Sequence, residues 1–103
     1  MTFEDFQILN AKRCEEAWHR VDDWPIQNWA LAIAGEAGEL CNLVKKVIRG
    51  DFPLDEKRTE ILHELADVIT YCDLAITHLH ANTEETVMDK FDIVSERIGW
   101  PDD

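Results

Sequence analysis

Apolar residues recur along most of the chain at alternating three- and four-residue steps, the spacing of one face of an α-helix, and no stretch shows the two-residue step of a strand. Four helices are expected, over about residues 2–21, 25–49, 55–80 and 83–98. Phe6, Leu9, Cys14, Ala17 and Val21 carry the first; Thr2 with Asp5 resembles a cap at its start, and Asp22 and Asp23 end it. Pro25, favoured in a first turn, opens the second, and Gly50 follows its end at Arg49. Acids open the third, where they complement the positive end of the helix dipole. Asn82 with Glu85 caps the fourth, which stops at Gly99 and Pro101. The expected fold is an all-α, four-helix bundle-like subunit forming a single domain over residues 1–103.

The pattern is broken by acids. Trp29, Ile33, Glu36, Leu40, Leu43 and Val47 form one stripe on the second helix, so Glu36 stands inside an otherwise apolar row, with Glu39 one turn on at its edge. On the third helix, Ile61, Leu65, Val68, Cys72, Ala75 and Leu79 form the apolar face, and Glu60, Glu64, Asp67 and Tyr71 form a row beside it. If the two helices pack antiparallel, Glu36 and Glu39 converge with Glu64 and Asp67. A carboxylate removed from water costs several kcal/mol unless it is paired or binds a metal. Neither motif contains a lysine, so the cluster requires cations. Hard oxygen donors without a neighbouring cysteine favour Mg2+, with Mn2+ as a substitute. Gly35 and Gly38, each costing about 1 kcal/mol inside a helix, suit close approach of another helix or a ligand, or simple packing.

Composition narrows the partners. With 22 acids against 10 bases and a formal charge of −12, the chain lacks the clustered cations that bind nucleic-acid polymers or membrane surfaces. Cys14, Cys41 and Cys72 are odd in number and widely spaced, which reads as reduced core thiols in a cytoplasmic protein. No signal pattern or membrane-spanning apolar run is found. Almost half of the residues are apolar in a chain of this size, so oligomerisation is expected to cover part of that surface.

Glu36-Ala-Gly-Glu39, then 24 residues, then Glu64-Leu-Ala-Asp67 resembles the ExxE…ExxD signature of the MazG-like all-alpha nucleoside triphosphate pyrophosphatases, which include the dCTP pyrophosphatases. Trp29 to Leu40, Glu64 to Tyr71 and Lys90 to Trp100 resemble family segments in the family's order, so the likeness spans most of the chain. The resemblance implies hydrolysis of a (d)NTP between its α and β phosphates to the monophosphate and pyrophosphate, a role in nucleotide-pool house-cleaning, and a homo-oligomer, dimer or tetramer, with sites near subunit contacts. It implies that Glu36, Glu39, Glu64 and Asp67 hold magnesium, that Lys90 and Arg97 bind phosphate, and that Tyr71 contacts the base. Glu39, at the stripe's edge, is the expected general base. Lys45, Lys46 and Arg49 are further cations for the triphosphate, Lys46 foremost, or else they solvate a helix end. Trp24, Asn28 and Trp29 precede the first motif and are placed in the nucleoside pocket, although Trp29 also falls on the core stripe; Trp100 is equally ambiguous.

Two other readings compete. Glu16 with His19 and Glu60 with His63 are both ExxH, the motif of di-iron carboxylate bundles. His63 points away from the apolar face, so both histidines read more simply as surface residues. A non-enzymatic acidic helical partner protein would explain a solvated acidic face but not Glu36 on an apolar stripe.

Overall fold

The computed structural model describes residues 1–101, and within them every regular element is helical: α1 (Phe3–Ala17), a 3₁₀ turn (Val21–Asp23), α2 (Ile26–Ile48), α3 (Leu54–His78) and α4 (Thr83–Ile98). No helix among the described residues is long and apolar enough to cross a membrane.

Local chemistry sets the boundaries. Thr2 and Asp5 form the reciprocal box expected at the start of α1, with Asp5 N donating to Thr2 Oγ1 and Thr2 N to an Asp5 carboxylate oxygen. α1 stops at Ala17 rather than reaching Val21. The Trp18 and His19 amides both donate to the Cys14 carbonyl, and Arg20 N to Asp23 folds the next residues into the 3₁₀ turn. Pro25 is the residue just outside α2, and Gly50, at φ +93°, turns the chain into the loop before α3. α3 ends at His78, and His80 takes a left-handed φ of +59°. α4 matches its expected span, with Asn82 accepting from Glu85 N at 3.0 Å.

α2 and α3 form an antiparallel hairpin, the largest packing surface in the chain. The four helices do not close into a bundle. α1 and α4 pack on α3 and on each other, but neither comes within 8 Å of α2, Cα to Cα, among the described residues. The core therefore sits at one end of the hairpin, where Cys14, Val21, Trp29 and Leu74 are buried against Ala11, Trp24, Tyr71 and Ala75.

The phase of α3 meets the expectation in part. The row Glu60, Glu64, Asp67 and Tyr71 continues to Leu74 and sinks into the core only at that end: Glu60 and Asp67 are exposed, Glu64 and Tyr71 half-buried and Leu74 fully buried. Of the expected apolar face, Ile61, Val68, Cys72 and Ala75 are half-buried, while Leu65 and Leu79 are exposed. The reason lies in the neighbours: α1 and the 3₁₀ turn cover the Tyr71–Leu74 side of the helix.

A buried polar junction joins three helices. Asp73 accepts from Asn10 Nδ2 at 2.9 Å and from Thr83 Oγ1 at 2.5 Å, while Gln7 Oε1 accepts from Thr83 N and Gln7 Nε2 donates to Thr77 Oγ1 and the Ala81 carbonyl. This junction fixes the first turn of α4; beyond it only Val94 and Ser95 are half-buried.

The cysteines differ from expectation. Cys14 is in the core, where burial pushes its thiol up, and Cys72 is half-buried, but Cys41 is exposed.

Candidate metal centre

Helical phase on α2 and the pairing of the hairpin bring the acids together. Carboxylate oxygens of Glu36, Glu64 and Asp67 lie within 4.8 Å of one another. Glu39 adjoins both Glu36 and Glu64 from the exposed rim. Glu36 and Glu64 are half-buried, and the Oε2 of each is shut off from solvent with no hydrogen-bond partner. No lysine or arginine pairs with any of the four among the described residues.

These surroundings favour the protonated forms. Burial pushes the Glu36 carboxyl up, helped by the charges of Glu39, Asp67 and Glu64; burial also raises Glu64, followed by Glu39 and Asp67. Tyr71 is raised by burial and then by Glu36. A divalent cation fits this donor set, because hard oxygens from two rigid helices converge with buried lone pairs to spare.

Beside the cluster lies a cleft of about 330 Å³ bounded by Arg13, Trp18, Glu36, Asp67, Thr70 and Tyr71. The Arg13 guanidinium sits 5.4 Å from the centre of the Trp18 ring, a cation–π distance. Sequence reasoning missed Arg13, Trp18 and Thr70. The available signal was Asn10, a polar residue one turn from Cys14 on the buried face of α1, which places Arg13 and Trp18 beside the core.

Tyr71 therefore reaches the cleft, whereas Trp29 does not. Trp29 is 1% exposed and its Nε1 donates to the Val21 carbonyl, so it is a core residue and not a wall of the pocket. It closes an aromatic run in which His19 stacks on Trp24 at 4.5 Å, Trp24 lies 4.7 Å from Trp29, and Trp29 lies 6.5 Å from Tyr71. Asn28 is half-buried beside this run on α2, outside the cleft lining.

The expected phosphate-binding cations are scattered. Lys46 is half-buried two turns beyond Glu39 on α2, Lys45 borders an apolar groove, and Arg49 is paired with Asp51. Lys90 and Arg97 are exposed on α4, which stays clear of α2, and neither pairs with a carboxylate among the described residues. Trp100 packs edge-on against Phe91, away from the cleft.

The residues of the di-iron reading are not gathered. His19 lies beyond the end of α1, half-buried on Trp24 rather than at the surface, with Nδ1 2.8 Å from the Arg20 carbonyl. His63 is exposed as expected, and Glu60 pairs with Lys57 at 3.2 Å. Gly35 and Gly38 have no close neighbour in the chain, since a Cβ at either would meet nothing within 4 Å. No protein-family model, curated protein or solved structure matches the chain.

Proposed function

We propose that the chain is a magnesium-dependent nucleoside triphosphate pyrophosphohydrolase, splitting the α–β anhydride to a monophosphate and pyrophosphate. The observation that carries this reading is the pair of buried, unpartnered Oε2 atoms of Glu36 and Glu64 where three carboxylates meet, with Glu39 adjoining. Such oxygens are stable only when protonated or facing a cation.

Glu36 and Glu64, held by the hairpin, and Asp67 at its open edge would bind the ion. When bound, magnesium supplies positive charge to the phosphate oxygens and acidifies water. Glu39, exposed yet adjoining both half-buried glutamates, takes the proton of the attacking water. Tyr71 and Trp18 offer aromatic surfaces to the nucleoside, and Arg13 offers donors at the same cleft. The four-carboxylate pattern and the segments resembling MazG-like enzymes support the same assignment. Removal of unwanted nucleotides from a cytoplasmic pool is the role it suits.

The purified chain, given magnesium and a panel of standard and modified nucleoside triphosphates, is expected to release pyrophosphate and monophosphate in equal amounts. Orthophosphate alone, or no product from any nucleotide, would overturn the proposal. Glu39→Gln should lower turnover by about 100-fold or more while leaving the helical circular dichroism intact.

A further inference from the structure

We propose that Arg13 makes the cleft selective for guanine nucleotides, its guanidinium donating to the O6 and N7 atoms of the base. The proposal rests on the pyrophosphatase reading and names the substrate class for the same site.

Arg13 stands at the aromatic end of the cleft. It follows Asn10 by three residues on α1, and the buried Asn10 Nδ2 donates to the Thr70 carbonyl at 3.0 Å and to Asp73 at 2.9 Å. Those bonds fasten α1 against the stretch of α3 that carries Thr70 and Tyr71, so the backbone of Arg13 is fixed beside the cleft. Its guanidinium lies over the Trp18 ring, 5.4 Å from the centre. Trp18 is held in turn by its amide, which donates to the Cys14 carbonyl at 3.0 Å. Arg13 pairs with no carboxylate among the described residues. A guanidinium laid on an indole keeps its planar fork of N–H donors for another partner. It shares the cleft with Glu36, Asp67, Thr70 and Tyr71.

Phosphates bound at the carboxylates decide which edge of the base meets that fork. In the common anti conformation, the edge on the 5′-phosphate side carries O6 and N7 in guanine, N6 and N7 in adenine, N4 in cytosine and O4 in thymine. Only guanine offers two neighbouring acceptors there, at the spacing of an arginine fork. Adenine and cytosine present an amino donor to a group that is always charged and cannot accept. Thymine and uracil offer one oxygen. Thr70 adds a second criterion, because its hydroxyl proton is committed to the Ala66 carbonyl at 2.9 Å and towards a ligand it can only accept. N1 of guanine is a donor, whereas N1 of adenine is an acceptor.

The test gives the full chain, with magnesium, dGTP, dATP, dCTP, dTTP and 7-deaza-dGTP, in which carbon replaces the N7 acceptor. In kcat/KM, dGTP should exceed each of the other standard nucleotides by roughly 10- to 100-fold, and the deaza analogue should lose about 10-fold. Arg13→Ala, with helicity retained, should level the standard nucleotides and treat dGTP and its deaza analogue alike. Arg13→Gln, whose amide matches the N6 and N7 edge of adenine, should move the preference to dATP. A wild type without a preference for dGTP, a deaza analogue turned over as well as dGTP, or a loss in Arg13→Ala that is equal for every nucleotide would overturn the selection. The deaza comparison uses the unaltered chain, so it judges the proposal even where a variant fails to fold. No pyrophosphate from any nucleotide would overturn the pyrophosphatase reading itself, and the selection with it.

Discussion

Glu36 occupies a position that the rest of its stripe fills with Trp29, Ile33, Leu40, Leu43 and Val47, so its carboxylate is held where helix pairing excludes water. A folded-state pKa raised above the ordinary 4.5 means that the folded chain holds protons the unfolded chain has released. The stabilising contribution is complete below that value and is lost as pH climbs through the raised one. Without divalent ions, the melting temperature should therefore fall as pH rises from about 4.5. On the proposed reading magnesium takes the place of the protons, and at one hundred times its dissociation constant it should stabilise the chain by about 2.7 kcal/mol. Thermal melts across pH, with and without magnesium, check this; Glu36→Gln should flatten the apo slope and remove the magnesium effect. Glu36 was legible because it violates a period. Arg13 and Trp18 violate none, and only the fold shows that they border the cleft beside Glu36 and Asp67.

At the level of elements, periodicity located the four helices but not how they are phased and joined. α3 carries apolar residues on one face and acids on the next, and the pattern alone cannot tell which row α1 will cover. The Tyr71–Leu74 side was decided by contacts across sixty residues of sequence, through Asn10 and Asp73. The early end of α1 has a local origin, because hydrogen bonds to the Cys14 carbonyl turn the chain just where the apolar period suggests continuation. Asp73 is the junction on which α4 depends. Asp73→Ala strands the Thr83 hydroxyl in a buried site, leaves the Asn10 amide with the Thr70 carbonyl alone and should cost about 3 kcal/mol. Hydrogen-exchange mass spectrometry should find residues 80–98 opening well before the α2–α3 hairpin; uniform exchange along the chain would assign the junction a purely global role.

For the whole molecule, the high apolar content of a short chain already pointed to surface left uncovered. Which surface it is could not be read, because α4 has the same amphipathic pattern whether it closes a bundle or projects from it. The described chain spans 48 × 43 × 28 Å, an open shape in which α4 packs on α1 and α3 but stays clear of α2.

The four tryptophans also give the molecule optical properties of its own. Trp29, sealed in the core, should emit towards the blue, whereas Trp18 and Trp100, each 58% exposed, should emit towards the red. Only Trp18 borders the cleft. A non-hydrolysable nucleoside triphosphate analogue added with magnesium should therefore quench the red side of the emission and leave the blue side unchanged. Trp18→Phe should abolish that response, and quenching that survives the substitution would place the nucleotide elsewhere. The chain thus carries its own reporter of occupancy, readable without a label and without turnover.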